Sequence, residues 1–134
     1  SAAVNQAVNN GTTPLYMACE KGHLDIARLL LEAGAAIDQA DEQGATPLFA
    51  ACYQGHLEVA RLLLEAGAAI NQAEENGATP LLIACQKGRL DIVRLLIEAS
   101  AAVSQALNDG ATPLYIACQQ GHVACAQLLL EAGA

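Results

Sequence analysis

The chain has 134 residues, enough for one domain, and 54% of them are hydrophobic although only 3% are aromatic. Its formal net charge of −8, from 14 acidic and 6 basic residues, argues against nucleic acid and anionic membrane surfaces, because Lys and Arg bind phosphate groups. Alanine and leucine supply most of the apolar content, so the core is predicted to be thin and layered.

Residues 1–10, SAAVNQAVNN, are polar and lack the basic n-region of a signal peptide, so no such peptide is expected. They match residues 34–43, GAAIDQADEQ, which form the tail of a later segment. The chain is therefore expected to begin partway through a unit of a repeated array. A natural parent protein is expected to be longer, with flanking units.

Four similar segments follow, and each opens with a glycine at a constant spacing of 33 residues. A fixed period of this length is typical of stacked like units. The predicted domain covers residues 1–134 and consists of the tail 1–10, three full units at 11–43, 44–76 and 77–109, and a truncated fourth unit at 110–134.

Each unit predicts two short helices, and the second unit shows the pattern. Thr46 precedes a proline. Threonine accepts a hydrogen bond from a free backbone amide at the start of a helix, and proline suits the first helical position. The first helix is predicted to stop at Gly55, where glycine tolerates the left-handed conformation, and the second helix to begin near His56. An extended, hairpin-like loop follows, with turn chemistry at 76–77.

The two helices of a unit are too short to be stable alone in water, so each must bury its apolar face against the next unit. The units are therefore predicted to form a quasi-one-dimensional stack.

One long segment, 110–130, has no Asp, Glu, Lys or Arg, but Pro113, Gly121 and three glutamines make it a poor membrane span.

Residues 46–68 carry the string T-P-L-x-x-A-C-x-x-G-H-L-x-x-A-R-L-L-L-E-A-G-A, which resembles the ankyrin repeat. The resemblance covers essentially the whole chain. It implies an all-α solenoid of stacked antiparallel helix pairs with projecting β-hairpin-like loops. It also implies a curved stack, whose concave face is made by the loop tips and the first helices.

Two departures from the family pattern bear on stability. The family usually has histidine after Thr-Pro-Leu, where this chain has Tyr16, Phe49, Leu82 and Tyr115. The histidine–threonine hydrogen bond of that motif is therefore absent. Ser100 stands where glycine is usual, and a left-handed serine there is expected to cost about 1 kcal/mol.

Five cysteines are candidates for redox or metal chemistry. Stacked helices lie about 8–10 Å apart, whereas a disulfide needs α-carbons within about 7 Å. All five are therefore predicted to be reduced, buried packing residues, which favours a reducing, cytoplasmic location. Four of them recur at one position of the unit and the fifth lies in the last second helix: Cys19, Cys52, Cys85, Cys118 and Cys125.

Cys52 and His56 form a C-x-x-x-H pair that recurs in two other units. Zinc requires four converging ligands and each unit offers two, so a structural histidine near the inter-helix turn is favoured over a metal site. The reactive residue types recur at the same position in successive units, whereas a catalytic residue usually occurs once in a chain. The sequence therefore predicts no enzyme, no metal and no cofactor.

Constant positions of a repeat build the scaffold, and positions that vary between units are free to contact a partner. Such a position can also vary because solvent tolerates any residue there, and that alternative stays open. Tyr53 is the leading candidate, because exposed aromatic residues often anchor interfaces. The predicted protein-binding residues are Asn9, Asn10, Thr12, Glu20, Lys21, Glu42, Gln43, Ala45, Tyr53, Gln54, Glu75, Asn76, Gln86, Lys87, Asn108, Asp109, Gln119 and Gln120.

Two functions remain open. The favoured one is a non-catalytic protein–protein interaction module that presents a rigid concave surface to a protein partner, with a basic partner favoured by the negative charge. The alternative is an engineered or excised repeat scaffold without a dedicated ligand, since units one and two agree at 23 of 33 positions. Irregularities such as Ser100 and Arg89 instead resemble natural drift.

The last unit lacks the polar cap with which repeat arrays normally end. Leu128 or its neighbours are therefore expected to be exposed. Weak end-to-end self-association through the uncapped terminal repeats is predicted.

Overall fold

The computed structural model describes residues 2–134, and no strand occurs in that range. None of its helices exceeds nine residues, which is too short to cross a bilayer. The described chain is therefore an all-α arrangement of four helix pairs. A 3-10 helix at Ala2–Asn5 precedes α1 (Pro14–Lys21), α2 (Leu24–Glu32), α3 (Pro47–Gln54), α4 (Leu57–Glu65), α5 (Pro80–Lys87), α6 (Leu90–Glu98), α7 (Pro113–Gln120) and α8 (Val123–Glu131).

The first helix of every pair begins at the predicted cap. A threonine Oγ1 accepts a hydrogen bond of 3.1 Å from the backbone N–H three residues later, and a proline occupies the first helical position. The capping residues are Thr13, Thr46, Thr79 and Thr112. Each of these helices ends at a glycine in the left-handed conformation, with φ between 68° and 82°.

The glycine between the helices also makes room for the next unit. A Cβ added at Gly22 would lie 2.7 Å from the imidazole of His56, and one at Gly88 would lie 2.8 Å from that of His122. These distances are shorter than a real Cβ contact allows. The glycine therefore allows the chain to turn between the two helices, and it also leaves the space that the following unit occupies.

The histidine that meets this glycine is structural, as predicted. His56 Nε2 donates to the Glu20 carbonyl at 3.0 Å, and His122 Nε2 donates to the Gln86 carbonyl at 3.2 Å. Arg89 fills the same position in the third unit and donates from its guanidinium to the Tyr53 carbonyl at 3.1 Å. Its Nε is buried and finds no hydrogen-bond partner within residues 2–134, so arginine replaces histidine imperfectly there.

Small side chains form the layers between adjacent units. Ala51, Cys52 and their counterparts in α1 and α5 are fully or almost fully buried. Because these side chains are short, the first helices of neighbouring units pack more closely than the second helices do. The stack therefore curves, with the first helices on its inner side.

The loops between pairs are hairpin-like, as predicted. In the loop before α3, Asp41 N–H donates to the Ala45 carbonyl at 2.9 Å and Gly44 N–H donates to the Asp41 carbonyl at 3.0 Å. Each loop tip is also hydrogen-bonded through its backbone to the tip before it, as when Glu75 N–H donates to the Gln43 carbonyl at 2.8 Å. The loops thus form a continuous edge along the stack.

The prediction of five buried cysteines is wrong at Cys118. Cys19, Cys52, Cys85 and Cys125 are buried, whereas Cys118 is exposed, and all five are free thiols. The first three cysteines at this position are covered by a following unit, and within the described residues no unit follows α7 and α8. Periodicity alone assigns the same environment to all units, although the last has a neighbour on one side only.

The last helix pair of the described chain exposes apolar side chains, as expected. Leu128 is half-buried, whereas its neighbour Leu130 is 59% exposed. Tyr115 on the preceding helix is also exposed. The expectation therefore holds for the neighbours of Leu128 rather than for Leu128 itself.

Ser100 has a φ of 71°, the left-handed conformation that disfavours a side chain. Substituting Ser100→Gly is expected to stabilise the protein by about 1 kcal/mol, which raises the melting temperature by roughly 4 °C. The matched control is Gly67→Ser, because Gly67 has the same role with a φ of 94° and open space around its α-carbon. Thermal unfolding followed by circular dichroism should show opposite shifts, and a lower midpoint for Ser100→Gly would contradict the assigned strain.

Candidate functional site

A groove runs along the inner side of the stack, between the loop tips and the first helices. Its central cavity has a volume of about 530 Å³ and lies between α3, α5 and the loops that precede α5 and α7. A second cavity of about 260 Å³ adjoins it on the side of α1. Gln43, Phe49, Tyr53 and Glu74 line both cavities, so the two form one groove.

Aromatic side chains of α3 make the wall shared by the two cavities. The rings of Phe49 and Tyr53 have centroids 6.4 Å apart, and Tyr53 is 40% exposed. Lys87 Nζ lies 4.4 Å from the centroid of the Tyr53 ring, within the range of a cation–π contact. The Tyr53 ring is therefore an exposed apolar surface that already interacts with a cation.

Carboxylates surround this wall. Within the described part of the chain, the residues lining the two cavities include four acidic residues and no Lys or Arg; the acidic ones are Glu20, Asp41, Glu74 and Asp109. The same charges act on Tyr16, whose pKa is raised by burial and by the nearby carboxylates of Asp41 and Glu20. The groove is therefore lined by carboxylates, with the Lys87 ammonium group beside the Tyr53 ring.

Two of these carboxylates also shape the loops. Asp41 Oδ1 accepts hydrogen bonds from the Gln43 and Ala45 N–H groups at 2.9 Å. Glu74 Oε1 does the same for Asn76 and Ala78, at 2.8 and 3.1 Å. Each of these two side chains closes its own turn, so the carboxylates of Asp41 and Glu74 are held in place.

The structure brings half of the predicted binding residues together in this groove. Nine of the eighteen line its cavities: Glu20, Gln43, Ala45, Tyr53, Gln54, Asn76, Gln86, Asn108 and Asp109. Eight others are exposed but do not line the cavities: Asn9, Asn10, Lys21, Glu42, Glu75, Lys87, Gln119 and Gln120. The eighteenth, Thr12, is treated with Ala45 below.

The sequence placed Thr12 and Ala45 at an exposed tip, and that placement is wrong for both. Thr12 is buried, and its Oγ1 donates to Asn10 Oδ1 at 2.8 Å. Ala45 is buried against Tyr16 and Ala50. This position varies between units to fit the neighbouring side chains, so its variation does not indicate contact with solvent.

Sequence reasoning missed several groove residues. Asp41 and Glu74 occupy a position that also varies between units, with Val8 and Leu107 as its other members, so the same signal could have found them. Phe49 occupies the position at which the chain departs from the family histidine. That departure bears on stability, and it also supplies the groove with an aromatic surface.

The recurring C-x-x-x-H pair does not converge on a metal. The imidazole of His56 is directed to the Glu20 carbonyl of the preceding unit, whereas Cys52 is buried in the core. Within residues 2–134 no three His, Cys, Asp or Glu side chains are grouped so that they could hold an ion. Burial raises the pKa of the Cys19 and Cys85 thiols to about 12 and that of Cys52 and Cys125 above the usual range.

A comparison with known protein families gives one match. A family model described as ankyrin repeats (3 copies) matches residues 1–74 and 66–134, which together span the chain. No curated protein matches the chain significantly.

The thiols should differ sharply in reactivity, because the thiolate is the nucleophile and a raised pKa keeps a thiol protonated near pH 8. In the native protein, Ellman's reagent is expected to modify Cys118 at least about 100-fold faster than the four buried cysteines. Cys118→Ser should remove the fast phase, and denaturant should expose the remaining thiols. Two or more fast thiols in the native wild type would contradict the described burial.

Proposed function

The chain belongs to the ankyrin repeat family, and from this premise we propose that its concave groove binds a basic segment of a protein partner. Ankyrin repeats are generally protein–protein interaction modules and are typically non-catalytic. Within the proposal the whole chain, residues 1–134, acts as one domain. It performs no reaction and needs neither metal nor cofactor.

The observation that carries this proposal is the exposed Tyr53 ring among fixed carboxylates. An arginine or lysine of a partner would gain from the carboxylates of Asp41, Glu74 and Asp109, and its aliphatic stem could pack on the aromatic wall. Lys87 already makes this kind of contact within the chain. The groove therefore offers a cationic segment both charge and apolar surface.

The fixed geometry of the groove supports binding with little reorganisation. The loop tips are joined to one another by backbone hydrogen bonds, and the first helices are capped at both ends. A surface that is ordered before binding loses less conformational entropy when a partner docks. The proposal therefore includes a rigid binding surface.

The groove lacks the charge that nucleic acid requires, because no Lys or Arg of the described chain lines its cavities. The five free thiols fit a reducing compartment. A cytoplasmic location is accordingly part of the proposal.

The test is a selection of random 12-residue displayed peptides (about 12 residues span the groove when extended) on the immobilised protein, followed by anisotropy titration of the enriched peptides. We expect enrichment in Arg and Lys, and affinity that falls as salt rises. Tyr53→Ala should weaken binding about tenfold, and the double substitution Glu20→Gln/Asp109→Asn, at two acidic residues that line the groove, about threefold to tenfold.

The matched control for charge is Glu65→Gln/Glu98→Gln, which removes the same charge from the exposed ends of α4 and α6. This variant should bind the selected peptides like the wild type. Peptides that bind equally well to the Tyr53→Ala variant and to the Glu20→Gln/Asp109→Asn variant would place binding elsewhere. A selection without enrichment would favour an array that has no dedicated ligand.

A further inference from the structure

One lysine of the chain already occupies the aromatic wall of the groove. Lys87 Nζ lies 4.4 Å from the centroid of the Tyr53 ring. Lys87 is the last residue of α5 and Tyr53 belongs to α3, so the covered face of the ring is the one directed toward α5. The central cavity lies between these two helices. Lys87 therefore lies where a cation of a partner would meet the ring.

This contact is not a requirement of the stack. By the 33-residue period, the pairs that correspond to Lys87 and Tyr53 at the other two boundaries between units are Gln54 with Glu20 and Gln120 with Gln86. Neither pair contains a lysine or an aromatic ring, although those units also stack. The contact between lysine and tyrosine is therefore particular to the middle of the groove.

Lys87 is free to leave the ring, whereas the ring is held in place. The Lys87 side chain is exposed, and within residues 2–134 its ammonium group takes no part in either of the ion pairs found there. The backbone of Tyr53 is fixed from the third unit, because the Arg89 guanidinium donates to its carbonyl at 3.1 Å. Displacement of Lys87 is therefore expected to uncover the ring without moving the helix that carries it.

We propose that Lys87 is a built-in competitor for the groove, and that a cationic side chain of the partner binds the Tyr53 ring by displacing the Lys87 ammonium group. This role of Lys87 rests on the proposed function, because it requires that the groove bind a basic segment. When a group of the protein itself occupies a site, the apparent affinity of a partner falls in proportion to the fraction of molecules in which the site is open. The Lys87 charge also repels a cationic partner directly.

Removal of the ammonium group should therefore strengthen binding. The substitution is Lys87→Gln, because glutamine ends the first helix of the second and fourth units at this position. The probe is a fluorescein-labelled peptide of about 12 residues, in which arginine and glycine alternate, titrated against the full chain by fluorescence anisotropy. A cation–π contact at an exposed site is weak, so the expected gain in affinity is about threefold.

The matched control for charge is Lys21→Gln. Lys21 occupies the same position at the end of α1 and is exposed like Lys87, but within residues 2–134 its ammonium group lies over no aromatic ring. The control should leave the affinity for the peptide close to that of the wild type. A gain as large as that of Lys87→Gln would show that loss of any nearby positive charge is enough, and the proposal would then be wrong.

The Tyr53→Leu background separates the ring from the charge. Leucine keeps apolar bulk and removes the π-system, so Lys87→Gln should lose most of its gain in this background. The gain that remains measures the effect of the charge alone. A gain of the same size in both backgrounds would contradict competition for the ring.

Displacement can also be observed at the Lys87 side chain itself. The ring current of Tyr53 shifts the NMR signals of the lysine methylene protons nearest to it, and comparison with Tyr53→Leu in the free protein identifies that shift. Saturation with the arginine–glycine peptide should abolish the shift. Signals that keep it in the saturated complex would show that Lys87 stays on the ring, which would overturn the proposal.

Failure of the competitor and failure of the binding groove give different results. Wild-type protein that binds the peptide more tightly than Tyr53→Leu does, but as tightly as Lys87→Gln does, would keep the groove as a binding site and refute the role of Lys87. Absence of binding by both the wild type and Lys87→Gln would refute the proposed function, and the competitor with it.

Discussion

Contact between successive helix pairs is the interaction on which this structure depends. The helices have eight or nine residues, and isolated helices of that length are not stable in water. Their stability must come from the layers of alanine, cysteine and leucine buried between units. The inter-helix glycine belongs to the same interaction, because a side chain at Gly22 or Gly88 would strike the next unit.

The same packing positions the groove. Closer contact between first helices than between second helices curves the stack and brings the loop tips over α3 and α5. Backbone groups at the tips join one loop to the next, and the carboxylates of Asp41 and Glu74 close their own turns. Salt should weaken binding in the groove, since it screens the attraction between the carboxylates and a cationic partner.

The 33-residue period, the threonine caps and the inter-helix glycines were enough to predict the helices, because these signals act within one unit. They could not predict the exposure of Cys118, which is set by the absence of a covering unit within the described chain. Variation between units identified Tyr53 and Asn76 in the groove but misplaced Thr12, which is buried, because a position can vary to fit its neighbours. The acidic lining of the groove could not be predicted from one unit, since Glu20, Glu74 and Asp109 come from three different units.

Hydrogen exchange of the native protein tests most directly whether neighbouring units stabilise each helix. We expect the amides of α3 to α6, which have a unit on both sides, to exchange slowest. Amides of α8 should exchange at least about tenfold faster, because its outward face is uncovered. Equal protection of α8 and α4 would show that the helices do not depend on their neighbours in this way.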